Sequence, residues 1–389
     1  MLIAGLAVRL LALASPPAFS EDVFCYVYEG RLVWYRGPTF PFVHAPAMGP
    51  ELGVPATLLD ASWLRINHAH IPTIYPPLSQ LFFAVAGGVG ELFGGGHLTI
   101  LKTTLVGAQA AAVAVLVSIA RDPARRSTIL TTLWLCPVAT FEIAREGHAD
   151  SVAVLGLALG VAGFAKARPT QGYTGWALAA LGKLNGLAVL PAAARVNRRG
   201  LWIAAAIVPL VALPMVLGGL GASQGLTEYA TRWRAGDGSF SLILSGWEVA
   251  LGGSWSRWGS VTVTAHQLAR LTTAGLFVAG MSALLWRPYP TEDIPERAGW
   301  IVLLLLLMSP TLHPWYSLWL LPFVPFARGA RPAMFALLGL VWLNHHGGWL
   351  ELEEGQWREL PWLRAVVHVP VWILALRGLR RGDAADDAP

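Results

Sequence analysis

Long apolar runs alternate with short basic clusters along the whole chain. Residues 201–220 (LWIAAAIVPLVALPMVLGGL) form twenty positions without a charge, enough to cross a hydrocarbon layer of about 30 Å as a helix. Similar runs recur at 98–120, 150–166 and 261–286. In a bilayer a helix satisfies all of its own backbone hydrogen bonds. The pattern therefore predicts an all-α, polytopic membrane protein with about ten to twelve transmembrane helices.

Arginine-rich clusters between the apolar runs set the predicted orientation. The cytoplasmic loops of membrane proteins carry an excess of Lys and Arg, so RDPARR at 121–126, RVNRRG at 195–200 and RGLRR at 377–381 are predicted to be cytoplasmic. Both termini then lie in the cytoplasm, and every long polar loop lies outside. We expect the chemistry on that outer face.

A single integral membrane domain, 1–389, is predicted, and the orientation divides it into segments. They are a first helix at 1–19, an outer loop with interfacial helices at 20–97, core helices at 98–220, an outer loop at 221–259, C-terminal helices at 260–377 and a cytoplasmic tail at 378–389. The first helix is expected to be retained rather than cleaved, because Arg9 lies inside the apolar stretch.

Two segments need a special interpretation because of the charge rule. If the apolar piece 78–94 crossed the membrane, RDPARR would face outward, so this piece is interpreted as interfacial. Residues 173–194 lie between two positive flanks, although their length allows only one crossing. Two half-length helices that turn near Gly182–Gly186 would keep both flanks inside, and such broken backbone occurs in membranes where it lines a cavity.

Composition narrows the class of protein. Hydrophobic residues make up 55% of the 389 positions and charged residues 13%, against about 25% charged in an average soluble protein. This excludes a soluble globular enzyme and a disordered chain, and two cysteines make no disulfide framework. The net charge of +5 lies in short loop clusters rather than in a basic stripe, so nucleic acid is not an expected partner.

Carboxylates at two predicted outer helix ends are the first candidates for chemistry. Glu21 and Asp22 follow the first helix, where an acid in apolar surroundings can accept a proton from a hydroxyl group; the alternative is a solvated loop with Ser20 as a helix cap. Arg145, His148 and Asp150 meet at another outer junction. They can bind a phosphate or a divalent metal ion, or can cap the next helix, and their spacing matches no strong metal signature.

Cations and aromatic residues supply further candidates for substrate binding. Lys183 lies in an apolar segment, where ionisable residues are usually functional, although a lysine can also snorkel to the interface. Guanidinium groups such as those of Arg232 and Arg234 in the second outer loop fit phosphate, although both can simply be solvated. His313, Trp315 and Tyr316 lie at an outer helix junction, where Trp and Tyr can instead form an aromatic belt.

Six segments in order resemble a known group of membrane enzymes. They are SEDVFCYVYEGRLVWYRG, NHAHIPTIYPPLSQL, REGHADSVAVL, ALGKLNGLAVLP, LTEYATRWRAGDGSFS and SPTLHPWYSLWLLPF. Together they cover about residues 15–330 and resemble the GT-C superfamily of polytopic glycosyltransferases. The polyprenyl-phosphate-mannose-dependent mannosyltransferases of the family 87 type are the most similar group.

The resemblance implies a reaction at the outer face of the bacterial cell (inner) membrane. A sugar, with mannose expected, moves from a polyprenyl-phosphate donor to a hydroxyl of a glycan or lipid acceptor, with inversion at the anomeric carbon. Asp22 matches the loop aspartate that acts as base or orients the acceptor, and Asp150 matches a second outer carboxylate. Lys183 and the His313–Tyr316 motif are implied to line the lipid-phosphate region.

The sequence differs from the family pattern at two positions, and two alternative functions are compatible with it. Glu21 stands where a first acidic partner is expected, and Gly147-His148-Ala149-Asp150 lacks an amide residue before the aspartate, which leaves a divalent metal ion undecided. No Gly-rich nucleotide loop is present, which favours a lipid-linked donor. A transporter or flippase of lipid-linked sugars is the main alternative, and a non-catalytic subunit of an envelope complex is a third.

Overall fold

Helices make up most of the chain in the computed structural model, which describes residues 1–258, 261–350 and 360–386. The chain divides into two compact units, residues 1–232 and residues 233–389. The predicted all-α class is correct in this coarse sense. The last residue of the predicted loop 221–259 and the end of the predicted tail 378–389 lie outside the described residues.

The first unit contains thirteen of the described α-helices and several shorter turns. The α-helices are α1 (Leu2–Ala14), α2 (Asp22–Arg36), α3 (Phe40–Val43), α4 (Pro77–Leu92), α5 (His97–Val117), α6 (Pro123–Ile129), α7 (Pro137–Ala139), α8 (Asp150–Ala165), α9 (Pro169–Gly182), α10 (Gly186–Val196), α11 (Leu201–Val211), α12 (Leu213–Leu217) and α13 (Gln224–Arg232). The 3₁₀ turns are Pro46–Met48, Ala56–Leu58, Trp63–Arg65, Arg198–Gly200 and Gly219–Ser223, and the π-helical turns are Leu130–Trp134 and Thr140–Arg145.

The second unit is also helical, with one short hairpin. Its described elements are α14 (Gly238–Leu251), β1 (Trp255–Trp258), β2 (Val261–Thr264), α15 (Ala265–Trp286), α16 (Ile294–Met308), α17 (Arg331–Leu350) and α18 (Pro361–Asp386), with 3₁₀ turns at Thr291–Asp293 and Pro314–Leu320. The two strands are antiparallel, and Trp255 pairs with Thr264. A core cluster of Phe240, Leu244, Ala265 and Ala269 joins α14 to α15.

Three of the described helices are long and apolar enough to cross a membrane. They are α5, α15 and the part of α18 at Pro361–Arg380; the pair Pro123–Trp134 and Pro137–Arg145, bent by 41°, makes a fourth if it is one broken span. Shorter apolar helices include α1, α8, α10 and α14. These helices agree with a membrane protein, while the number of ten to twelve spans stays a prediction.

Proline explains where the helices are shorter than the apolar runs. The run 201–220 forms α11 and α12 with a break at Ala212, and Pro209 and Pro214 flank this break. Within the predicted C-terminal helices at 260–377, Pro314–Leu320 forms a 3₁₀ helix followed by turns in place of an α-helix. Prolines lack the backbone N–H that an α-helix needs in its interior.

The backbones of helices α8 and α9 approach each other closely. Gly156, Gly160 and Gly163 of α8 meet the backbone or aromatic rings of α9, and a Cβ atom at any of the three would overlap them. Small residues at this spacing let two helix backbones approach closely in membranes. The packing brings the start of α8 beside the end of α9, where the chain breaks at 183–185 before α10. This break lies at the predicted turn near Gly182–Gly186.

Candidate active site

Asp22 is the first residue of α2, and a buried carboxylate fixes the segment before it. The buried carboxylate of Glu146 accepts hydrogen bonds from the backbone N–H groups of Ala18 (3.0 Å), Phe19 (3.0 Å) and Ser20 (3.2 Å). These bonds fix the chain just before α2 begins. As a result, the position of Asp22 is set by a buried acid 124 residues later in the sequence.

The carboxylate of Asp22 is partly open and held by neutral donors. Asn67 Nδ2 donates to Asp22 Oδ1 at 2.8 Å, and the Tyr75 hydroxyl lies 3.5 Å from Oδ2. The side chain of Asp22 keeps 19% of its exposure. The start of a helix favours a negative charge, because its free N–H groups point outward. Asp22 is thus an ordered carboxylate that a substrate can reach.

His148 lies between two carboxylates in a buried turn. Its Nε2 is 3.3 Å from Glu142 Oε2, and its Nδ1 is 4.0 Å from Asp22 Oδ2. Gly147, at φ +78°, makes the turn that presents the ring. Burial alone would lower the pKa of His148, but the hydrogen bond and charge of Glu142, with the charges of Asp22 and Asp150, outweigh it and raise that pKa.

Asp150 and Lys183 form a second pair beside this turn. Lys183 Nζ lies 3.0 Å and 2.9 Å from the two oxygens of Asp150, which is fully buried, whereas the lysine side chain is 15% exposed. Lys183 has extended backbone in the break after α9, so its side chain leaves the helix end. Its ammonium also lies 5.6 Å from the ring centre of Tyr75, which links the pair to Asp22.

The structure therefore brings together four of the predicted site residues and separates others. Asp22, His148, Asp150 and Lys183 form one cluster in the first unit. Glu21 instead pairs with Arg65 at 3.3 Å, with both side chains about half exposed (49% and 46%).

Two other predicted cations of the first unit have separate surroundings. Arg145 lies 3.7 Å from Glu146 and over the ring of Phe141. Arg232 is 75% exposed and pairs with Glu228 one helical turn earlier.

The second unit holds the remaining predicted residues. Arg234 binds the buried carboxylate of Asp237 at 2.8 Å, and Arg364 approaches the same carboxylate at 3.6 Å and donates to Ser241 at 2.7 Å. Backbone hydrogen bonds join the segment of Arg234 to the predicted 309–316 motif. The N–H of Ala235 donates to the carbonyl of Pro310, and the N–H of Leu312 donates to the carbonyl of Ala235.

The aromatic part of that motif is ordered by ring stacking. The ring of His313 stacks on Trp315 with 4.4 Å between centres, and Tyr316 meets His313 edge-on at 5.4 Å. Trp315 and Tyr316 are buried, as expected for residues that shape a pocket or a core.

Three residues of the cluster escaped the sequence reasoning. Glu142 is a carboxylate within the apolar run 127–142, and such an isolated charge in a predicted span is a signal for function. Tyr75 and Asn67 lie in the NHAHIPTIYPPLSQL segment, yet no spacing distinguishes them from their neighbours. Their roles depend on loop packing.

A metal site is not apparent in the part of the chain that the structure describes. No group of three or more His, Cys, Asp and Glu side chains there is arranged to hold a metal ion. In the cluster, the ammonium of Lys183 donates to both oxygens of Asp150, so this carboxylate forms an ion pair.

Part of the chain matches a known protein family. Residues 9–199, which are 191 of the 389 positions, match the MptA_B family, described as the N-terminal domain of alpha-(1->6)-mannopyranosyltransferase. The match contains Asp22, Glu142, His148, Asp150 and Lys183. A search of curated proteins finds no relative that matches. Residues 9–199 therefore resemble a family of alpha-(1->6)-mannopyranosyltransferases, and the protein is a glycosyltransferase.

Proposed function

We propose that the protein transfers mannose from a polyprenyl-phosphate donor to an acceptor hydroxyl on the outer face of the cell membrane, and that Asp22 is the general base. The observation that carries this proposal is the Asp22 carboxylate itself. It is partly exposed, held by neutral donors, and next to a buried Lys183–Asp150 pair in the part of the chain that matches the mannosyltransferase family.

The proposed reaction is one displacement at the anomeric carbon. Asp22 takes the proton of the acceptor O–H, and the oxygen forms a bond to the anomeric carbon. The bond from that carbon to the phosphate oxygen breaks, and its electron pair leaves with the phosphate, so the configuration inverts. A positioned base contributes roughly 10²–10⁴ in rate, and Asp22 is accessible enough to meet a hydroxyl group.

Cationic residues of each unit, taken separately, are proposed as phosphate contacts. Lys183 keeps part of its ammonium exposed although it binds Asp150. In the second unit, Arg234 is held by Asp237, and a preoriented guanidinium loses little entropy on binding an anion. His313, with its neighbours Trp315 and Tyr316, is a further candidate substrate contact within the second unit. An anionic leaving group is stabilised by such charges.

Weaker support exists for three other predicted site residues. Glu21 has its own ion-pair partner in Arg65, so a direct role beside Asp22 would require that exposed pair to open. Arg145 sits over Phe141 beside Glu146, and Arg232 is largely exposed on α13. We keep Glu21 as a candidate second acid and Arg145 and Arg232 as candidate phosphate contacts, to be separated from Asp22 and Arg234 by substitution.

The membrane supplies the donor in this proposal. A polyprenyl chain lies between helices, and the phosphate reaches the outer surface where 20–97 and 221–259 are predicted. Both termini are proposed to be cytoplasmic on the basis of the arginine clusters. A cell-envelope glycan or lipid would be the acceptor, and a bacterial inner membrane would be the location.

The test is a transfer assay with the purified full chain in lipid nanodiscs. Polyprenyl-phosphate [¹⁴C]mannose and an acceptor extract are added, and the product is identified by mass spectrometry and linkage analysis. We expect transfer by the native protein and a loss of roughly 10²–10⁴ in rate for Asp22→Asn. Glu21→Gln in the same assay tests separately whether the adjacent carboxylate takes part.

Three results would contradict parts of the proposal. Full activity of folded Asp22→Asn would remove the base assignment. Transfer from a nucleotide-activated mannose, with none from the lipid-linked donor, would remove the donor. Movement of labelled lipid-linked sugar across the bilayer without a new glycosidic bond would favour transport in place of transfer.

A further inference from the structure

A long groove runs between α15, α16 and α18 of the second unit. Its volume is about 1090 Å³, at the upper limit of the range of about 300–1,000 Å³ that small-molecule sites occupy. Most of its lining is apolar, with Leu276, Leu304 and Leu376 on the three helices. Leu276 and Leu376 are about half exposed (48% and 51%). The groove is therefore an apolar surface that is open along its side.

The length of the groove corresponds to one leaflet of a bilayer. Its lining extends from Leu276 to Trp286 on α15 and from Glu296 to Met308 on α16. At a rise of 1.5 Å per residue, these stretches are about 15 Å and about 18 Å long. Half of a hydrocarbon core of about 30 Å is about 15 Å. The acyl chains of a lipid from a single leaflet therefore match the groove in length.

Charged residues line one end of the groove. Arg287 follows the last residue of α15, and Arg297 lies in the first turn of α16. The charged residues of the lining are Arg287, Arg297, Arg328, Arg377, Asp293 and Glu296. Four arginines with two carboxylates give this end of the described groove an excess of two positive charges.

The segment Arg328–Gly329 joins α18 to this charged end. The Glu296 carboxylate accepts hydrogen bonds from the backbone N–H groups of Arg328 (3.0 Å) and Gly329 (3.2 Å), which ties the segment to the start of α16. Gly378 packs directly against Gly329, because a Cβ atom on Gly378 would lie 2.3 Å from the carbonyl oxygen of Gly329. This contact places Arg377, one residue before Gly378, at the same end as the start of α16.

The charge excess belongs to arginines whose contacts do not cancel it. Arg328 binds both carboxylates of the lining, Asp293 at 2.5 Å and Glu296 at 2.9 Å. Arg297 donates to a backbone carbonyl and lies over an aromatic ring, which are neutral groups. The Arg377 side chain is exposed. Guanidinium groups fit phosphate, and basic pockets between membrane helices bind anionic lipid headgroups.

We propose that the groove binds one phospholipid with an anionic headgroup, with its acyl chains along α15, α16 and α18 and its phosphate beside Arg297 and Arg377. The charge excess selects the headgroup, and the length selects a lipid of one leaflet. On the predicted orientation this leaflet is the cytoplasmic one, because Arg377 begins the basic cluster 377–381. The groove shares no lining residue with the sites proposed for mannosyl transfer, so the inference goes beyond that function.

The test is native mass spectrometry of the purified full chain, which resolves each bound lipid by its mass. The chain is delipidated in detergent and titrated with phosphatidylglycerol, which is anionic, or with phosphatidylcholine of the same acyl chains, which is zwitterionic. We expect one tightly bound phosphatidylglycerol, with a Kd at least about fivefold lower than that of phosphatidylcholine, the size of one arginine–lipid interaction.

Three variants and a matched control assign this binding to the groove. Arg377→Gln should raise the Kd for phosphatidylglycerol about fivefold, whereas Arg377→Lys keeps the charge and should stay within about twofold of native. The control is Arg380→Gln, which removes an exposed arginine one turn later on α18 that does not line the groove, and its Kd should also stay within about twofold. Ala283→Trp fills the exposed wall of the groove without a change of charge and should abolish the tight binding. Thermal unfolding without lipid verifies that each variant is folded.

Several outcomes would overturn the inference. Equal Kd values for the two phospholipids, or equal effects of Arg377→Gln and Arg380→Gln, would remove the headgroup site. Tight binding that persists in folded Ala283→Trp would place the lipid elsewhere. Displacement of phosphatidylglycerol by an equimolar polyprenyl phosphate would assign the groove to the donor lipid, and a lipid-free dimer would assign it to a protein interface. These measurements need no mannosyl transfer, so failure of the proposed function is observed separately.

Discussion

Two ion-pair clusters of this protein have opposite charge excess. In the first unit, the carboxylates of Asp22, Glu142 and Asp150 surround the imidazole of His148 and the ammonium of Lys183. In the second unit, the guanidinium groups of Arg234 and Arg364 share the single carboxylate of Asp237. The same types of charged residue are therefore combined in opposite proportions.

The difference in charge excess indicates which chemistry each cluster favours. An excess of carboxylate provides an ionised oxygen that can accept a proton, and Asp22 is the member with open surface. An excess of guanidinium provides donors for an anion, because a single Asp237 cannot use all ten N–H groups of two arginines. In both clusters the fully buried member, Asp150 or Asp237, orients a more exposed cation.

The largest expected effect comes from breaking the buried pair of the first cluster. Lys183→Met leaves the carboxylate of Asp150 buried without its cation, and we expect the free energy of unfolding to fall by about 3–5 kcal/mol. Asp150→Asn should cost less, because the lysine side chain keeps some contact with solvent. Unfolding in mixed micelles measures both.

The double variant sharpens this test. Asp150→Asn with Lys183→Met removes both charges, and it should recover part of the loss because no uncompensated charge remains. Single variants with native stability would show that the pair does not form in the protein.

The next effect concerns a buried acid that is held by neutral donors. Glu29 of α2 accepts hydrogen bonds from Thr73 (2.9 Å), Gln80 (2.5 Å) and the Cys25 thiol (3.3 Å). Burial raises its pKa from 4.5 to about 7, against the opposing effect of these hydrogen bonds. The folded protein therefore binds this proton more tightly than the unfolded chain.

The sign of the resulting pH dependence follows from linkage. The stabilisation from protonated Glu29 is fully present below about pH 4.5 and is lost as the pH rises through about 7, with a total of about 3 kcal/mol. Glu29→Gln should remove this dependence between pH 4.5 and 8 in thermal unfolding. Identical pH profiles for the variant and the native protein would contradict the buried, neutral state of Glu29.

A smaller effect is expected from reducing the arginine excess of the second cluster. Arg234→Gln leaves Asp237 with Arg364 as its partner and removes donors for an anion. The loss of charged hydrogen bonds, about 1.5–3 kcal/mol, corresponds to a rise of roughly 10–100-fold in KM for the polyprenyl-phosphate donor. Initial rates at varied donor concentration measure it, and an unchanged KM would assign this cluster to structure alone.

The smallest effect belongs to the nearby exposed arginine. Arg232 forms a surface pair with Glu228 one turn away, and such pairs contribute about 0.3–0.5 kcal/mol. Arg232→Gln should therefore leave stability nearly native and the donor KM within about twofold of native. A rise in KM equal to that of Arg234→Gln would contradict a surface role for Arg232.

The sequence predicts most of the helical segments and the individual candidate site residues. The apolar runs predicted α5, α8 and α15, since a segment in a bilayer must satisfy its backbone internally. The positive flanks of 173–194 indicated a break near Gly182–Gly186, and the structure has the helix ends there. The α-helices predicted across 260–377 are interrupted at Pro314–Leu320, because a run of apolar residues does not report how its prolines interrupt a helix.

Sequence by itself determined that the chain is helical and apolar, that Asp22 follows the first apolar segment, that Asp150 lies at a helix junction and that Lys183 is an ionisable residue in an apolar segment. Only the tertiary structure decided that Lys183 pairs with Asp150 and that Glu142 reaches Asp22 through His148. The physical reason is that local patterns set the backbone conformation, whereas these contacts depend on the close glycine packing of α8 against α9 and on where a distant loop is tied down.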